Sequence, residues 1–100
     1  MNFELNCRGF KRKLVERYEA GWGVQYVFAF DNGYGASVIK NAVSYGFAKD
    51  LWELAVLKIT KDESGQYDWK VCYDTPITND VVGWLTDYGV RKLLRKIKEL

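Results

Sequence analysis

Chemistry in this chain has to be done without histidine. The sequence contains none, so it lacks the commonest general base and the usual partner of a nucleophilic Ser or Cys. Carboxylates are the remaining route to acid–base work, and Asp31, Asp74 and Asp80 stand near corners of the chain. Each also has a local explanation: Asp31 precedes Asn32-Gly33, Asp74 precedes Thr75-Pro76, and Asp80 falls where a helix would begin, all positions that turn and cap chemistry favours. No catalytic residue is assigned. Cys7 and Cys72 are far apart and show no CxxC spacing, and two thiolates without imidazole would need two further ligands to hold zinc, so no metal and no cofactor is assigned either. They read as reduced thiols of a cytosolic protein, with a disulfide left open. Gly33-Tyr34-Gly35 lacks the third glycine and the Lys-Ser/Thr of a phosphate loop and leads into a strand, which makes it a turn and not a phosphate cradle.

Binding is the other chemistry these residues allow. The net charge of +2 is too small to argue for a polyanion by itself, but its distribution is uneven. Residues 1–20 carry five basic and three acidic groups, 61–80 two and five, and 81–100 five and two. Arg8, Lys11, Arg12, Lys13 and Arg17 crowd one end, and Arg91, Lys92, Arg95, Lys96 and Lys98 the other. If the termini meet, these ten groups form a patch able to contact phosphates, with Tyr18 or Trp22 available to stack on bases. A solvated helix face with cations relieving its dipole accounts for the same residues without a ligand.

Aromatic residues make up 16% of the chain, many for a domain this size. Trp22 between Gly21 and Gly23, Tyr34 between Gly33 and Gly35, and Tyr45 and Phe47 beside Gly46 fall where neighbours are too small to bury them. They are the candidates for a protein-binding surface, since aromatic anchors dominate interface energetics.

The elements that must position these groups follow from periodicity and turn signals. One hundred residues predict a single domain over 1–100, with 1–20 peripheral and Met1 to Gly9 loose or at an edge. Phe10 to Ala20 fits a helix by propensity and a strand by context, and the strand is preferred because Ala20-Gly21-Trp22-Gly23 returns the chain directly into Val24 to Phe30. Asn32-Gly33 then predicts a two-residue hairpin turn into Tyr34 to Lys40. Asn41 to Asp50 is a loop, Leu51 to Thr60 a strand, and Lys61 to Gln66 a polar hairpin loop. Tyr67, Trp69, Val71 and Tyr73 alternate with Asp68, Lys70, Cys72 and Asp74, which predicts a strand with one buried face. Past Thr75-Pro76, Thr78 caps a short helix over Asn79 to Leu85 and Thr86 caps a second, with an apolar stripe at Val90, Leu93, Leu94 and Ile97. The sum is α+β: an antiparallel sheet of four to five strands with a C-terminal helical pair packed on one face. No stretch reads as a signal peptide or a membrane span, so the expected location is cytoplasmic.

Two runs carry a resemblance. Phe30-Asp31-Asn32-Gly33-Tyr34-Gly35-Ala36-Ser37-Val38-Ile39 through Leu51-Trp52-Glu53-Leu54-Ala55-Val56-Leu57, together with Tyr73-Asp74-Thr75-Pro76-Ile77-Thr78-Asn79-Asp80-Val81-Val82-Gly83-Trp84-Leu85-Thr86, resemble a group of small accessory proteins encoded by tailed bacteriophages. The resemblance covers roughly residues 24 to 100 and leaves the first twenty outside. It implies an origin inside an infected bacterium, hence the host cytoplasm, and it carries over no activity and no site residues. With catalytic groups missing and loop aromatics in surplus, that origin predicts an inhibitor or modulator that binds a host protein or defence complex. Nucleic-acid binding through the basic ends is the alternative, and sequestration of a small signalling nucleotide is a third class.

Overall fold

Apolar residues, β-branched and aromatic ones among them, recur along four stretches of this chain, and in the computed structural model, which describes residues 1–78 and 80–100, all four are strands of one sheet. β1 (Leu14–Ala20), β2 (Gly23–Ala29), β3 (Tyr34–Asn41) and β4 (Trp52–Lys61) follow one another as antiparallel neighbours. β4 is ten residues long, and its outer edge is shared. Its second half pairs with β5 (Tyr67–Val71), and its first half pairs with β6 (Val82–Leu85) through Leu54↔Val82 and Trp52↔Leu85. Among the described residues one α-helix, α1 (Asp87–Lys98), follows β6, so the fold is α+β with a curled antiparallel sheet.

The β2–β3 turn is one residue longer than Asn32-Gly33 predicts. Phe30 and Tyr34 are bridged by Phe30 N–H to Tyr34 C=O at 2.8 Å, and only Gly33, at φ +84°, takes the left-handed conformation. This is a three-residue loop with glycine at the bulge position. Asn32 is thereby freed for another task. Its Oδ1 accepts from Tyr34 N–H at 3.0 Å, and its Nδ2 donates to the carbonyls of Ile97 at 2.9 Å and Lys98 at 3.2 Å, capping the open end of α1.

Two sequence expectations are corrected at the C-terminal side. The helical pair is one helix: where a helix was expected over Asn79 to Leu85, residues 82–85 form β6, while Asn79 lies outside the described residues. A helix that short has too few hydrogen bonds to offset its nucleation, whereas the unpaired half of β4 offers a ready ladder. Gly83 fits that place because a Cβ there would stand 2.4 Å from the Cβ of Tyr45. The alternating stretch from Tyr67 also lacks its buried face: Trp69 is half-buried, but Tyr67 and Val71 are each 39% exposed and Tyr73 lies beyond the strand.

One face of the sheet carries the main core. Tyr26, Phe28, Ala36, Val38, Trp52, Leu54 and Val56 pack against Val90, Leu94 and Ile97 of α1, the stripe that the sequence predicts, with Leu93 packed at its margin. Thr86 caps the helix as expected, its hydroxyl accepting from Gly89 N–H at 3.1 Å. The opposite face buries Val27, Ala29, Leu57 and Ile59, and both Val15 of β1 and Trp69 of β5 reach that cluster because the sheet curls.

Met1 to Gly9, expected to be loose or at an edge, and Phe10 after it contribute to the main core. Leu5, Cys7 and Phe10 are buried in it. The Tyr26 hydroxyl holds this segment, accepting from Leu5 N–H at 3.1 Å and donating to Phe3 C=O at 3.0 Å. Asn6 N–H donates to Asp87 Oδ2 at 3.0 Å, and Arg91 Nη1 to Asn6 C=O at 2.8 Å, which ties the N-terminal segment to the start of α1.

A buried lysine completes the core. Lys40 is 2% exposed, with its Nζ donating to Asn2 C=O at 2.6 Å and Asp50 Oδ1 at 2.9 Å and lying 4.1 Å from the centre of the Trp52 ring. Asp50 has φ +59°, a conformation asparagine tolerates, so Asp50→Asn isolates the charge from the backbone. The carboxylate is 44% exposed, which discounts its worth, and the substitution is expected to lower stability by about 1 kcal/mol at neutral pH. The Lys40 hydrogen bond holds the Asp50 pKa below the ordinary 3.8. A carboxyl whose folded pKa lies below its unfolded one stabilises fully above the unfolded value and loses that contribution as pH falls through the folded one. The gap between wild-type and Asp50→Asn urea midpoints should therefore be full near neutrality and close as pH drops below 3.8.

Candidate functional site

The N-terminal segment turns through a 3-10 helix at Lys11–Lys13 just before β1, and this turn sets the two basic ends of the chain side by side. Cys7 C=O accepts from Phe10 N–H and Phe10 C=O from Lys13 N–H, both at 2.9 Å, so four of the five residues from Gly9 to Lys13 can point outward while Phe10 points in. Phe10 packs edge-on against Phe30, ring centres 6.2 Å apart. Two adjoining clefts open around it. One, of about 420 Å³, is lined by Arg8, Gly9, Phe10, Lys11, Arg12, Lys13 and Lys98. The other, of about 240 Å³, is lined by Arg8, Phe10, Tyr88, Arg91, Lys92 and Arg95. Arg8 and Phe10 belong to both, so eight cations follow one continuous seam.

Little within the protein neutralises that seam. Among the described residues, Lys13 has an ion pair with Asp31 at 3.2 Å, with a carboxylate 96% exposed, and Arg91 is engaged by the Asn6 carbonyl. Exposed pairs of this kind are worth little and leave the field of the patch largely intact.

Two of the ten basic residues do not take part. Arg17 is turned into β1's own surroundings, donating to the Tyr26 hydroxyl at 2.9 Å and to Glu19 and Glu4 at 2.7 and 3.2 Å. The Tyr26 hydroxyl and then Glu19 raise its pKa above the ordinary value. Lys96, exposed on α1, lines neither cleft. Tyr88 was not singled out from the sequence, yet it is 67% exposed beside three helix cations. The signal was there: Tyr88, Arg91, Lys92 and Arg95 stand at i, i+3, i+4 and i+7, one face of a helix whose buried stripe lies elsewhere.

The four aromatic candidates are dispersed. Trp22 forms the β1–β2 turn with Gly21 and stacks on Tyr18, ring centres 5.9 Å apart, both more than two-fifths exposed. Tyr45 is 60% exposed in the β3–β4 loop, and Phe47 is half-buried in a 3-10 turn of the same loop. Tyr34 lies at the other end of β3, half-buried against the main core, with the Lys58 ammonium 4.4 Å from its ring centre. It is the first residue of a strand and not part of the loop, which is why its glycine neighbours do not leave it bare. Trp84 of β6 joins Tyr45: its N–H donates to Tyr45 C=O at 3.3 Å, and it is 60% exposed at φ +59°.

The carboxylates each have local partners. Asp31 meets Lys13, Asp74 accepts from the Cys72 thiol at 2.9 Å, and Asp80 accepts from Val81 N–H at 2.8 Å. Cys7 and Cys72 are free thiols, and burial pushes the Cys7 thiol pKa up, away from reactivity. Among the described residues no three His, Cys, Asp or Glu side chains gather as a metal site, and no helix is long and apolar enough to cross a membrane. Comparison with protein-family models, curated proteins and solved structures finds no match.

Proposed function

We propose that the protein binds single-stranded nucleic acid along the basic seam, without chemistry of its own, in the setting its resemblance to tailed-phage accessory proteins implies. The observation that carries this reading is the convergence of both basic ends around Phe10 with Tyr88 exposed among Arg8, Arg91, Lys92 and Arg95. Cations at chain-wide separation gain affinity from a phosphate backbone by releasing its counterions, and a ring in their midst gives a base a surface to stack on. A duplex would keep its bases stacked away from Tyr88, so the strand with free bases is the better ligand. Fluorescence anisotropy with a labelled oligonucleotide tests this. Tyr88→Ala is expected to weaken binding roughly 10-fold and Tyr88→Phe to leave it near wild type, since stacking needs the ring and not the hydroxyl. Equal affinity in all three proteins would count against it.

A second reading, docking of a host protein, is favoured by one observation. Trp84 keeps an exposed ring on a left-handed backbone, a conformation that costs a bulky residue about 1–2 kcal/mol. Strain retained at an exposed aromatic beside Tyr45 points to recognition. Trp84→Gly is expected to hold or raise the urea midpoint while abolishing capture of a host partner by the tagged protein; a lower midpoint would assign the ring to the fold.

A further inference from the structure

The edge strands β1 and β5 differ. β1 is interrupted by a bulge between Leu14 and Glu16 and exposes Glu16, Arg17 and Glu19, features that discourage another strand from pairing. β5 is less protected: its five residues contain no bulge, proline or glycine, and beside the charged Asp68 and Lys70 they expose Tyr67 and Val71.

The register fixes which groups β5 offers. Cys72 N–H donates to Val56 C=O at 2.8 Å, so the alternation turns the backbone groups of Asp68 and Lys70 toward β4 and those of Tyr67, Trp69 and Val71 outward. Trp69 N–H accordingly meets the Oδ1 of its neighbour Asp68, at 3.0 Å, instead of a strand.

We propose that a second copy of this chain pairs with β5 along this edge, antiparallel and two-fold symmetric about Trp69. In that register Trp69 faces Trp69 and Tyr67 faces Val71 as hydrogen-bonded pairs, using the outward N–H and C=O groups. Asp68 then stands opposite Lys70 twice, as close non-hydrogen-bonded pairs of opposite charge. The strand is thus self-complementary in backbone phase, in charge and in apolar contact on the Trp69 face. An edge-to-edge two-fold axis runs perpendicular to the sheet, so the two copies of α1 lie on the same side of one continuous sheet.

Sedimentation velocity over a dilution series tests the pairing. Wild type is expected to approach twice the 11.6 kDa of one chain as concentration rises. Asp68→Lys sets lysine against lysine and Lys70→Asp sets aspartate against aspartate, so each alone should stay at monomer mass with an unchanged circular dichroism spectrum. An equimolar mixture of the two variants restores both opposite-charge pairs and should dimerise, as should the double swap D68K/K70D. Wild type that remains a monomer throughout, single variants that dimerise like wild type, or a mixture that fails to associate would each overturn the proposal.

Discussion

A chain carrying Arg12→Glu and Arg95→Glu is expected to fold normally and to bind a single-stranded oligonucleotide about 100-fold more weakly than wild type at low salt. The two side chains line the two clefts, one each, and both are exposed. Neither makes a side-chain hydrogen bond or ion pair among the described residues, so the change in stability should stay within about 0.5 kcal/mol. Each reversal removes a phosphate contact and installs a repulsion, and together they move the net charge from +2 to −2. The same charge change made at Lys49 and Lys61, which line neither cleft, separates the seam from net charge alone. That control should lose only about 3-fold, because it removes no phosphate contact from the seam.

The largest effect on stability is expected at Trp52. Its side chain is 1% exposed, meets Tyr26 edge-on with ring centres 5.6 Å apart, lies under the Lys40 ammonium, and donates through Nε1 to Asp87 Oδ1 at 2.7 Å. Asp87 in turn holds Asn6, so this one residue joins β4, the helix start and the N-terminal segment. Trp52→Ala leaves a cavity and is expected to cost about 4 kcal/mol, enough to unfold much of the population of a small domain. Trp52→Phe keeps part of the packing and removes the donor, for a loss of about 2 kcal/mol that combines the Asp87 bond with the smaller ring. Urea denaturation followed by circular dichroism measures both. If Trp52→Ala were no worse than Trp52→Phe, the core would be organised around something else.

What the sequence made legible were features whose cause is local. Asn32-Gly33 marked the hairpin, Thr86 the helix start, and Val90, Leu94 and Ile97 the buried stripe, because turn, cap and period depend on near neighbours. β6 was misread as a helix since its strand state comes from the vacant half of β4, thirty residues earlier. The burial of Leu5, Cys7 and Phe10 was invisible for the same reason: it rests on the Tyr26 hydroxyl and Asp87, both distant in sequence. The basic clusters could be counted at each end, but whether they met depended on that same N-terminal segment returning to α1. Arg17 could not be excluded from the patch by composition, because Tyr26 claims it only across the β1–β2 pair.

Binding of wild-type protein to single-stranded and duplex oligonucleotides across a salt series tests the central claim most directly. About five phosphate contacts along the seam predict that log affinity for the single strand falls against log salt with a slope of roughly −3.5, that the slope becomes shallower by about 1.4 when Arg12 and Arg95 are both changed to Ala, and that the duplex binds more weakly. A wild-type protein that binds neither strand nor duplex at low salt, or one whose slope is untouched by those two substitutions, would contradict it.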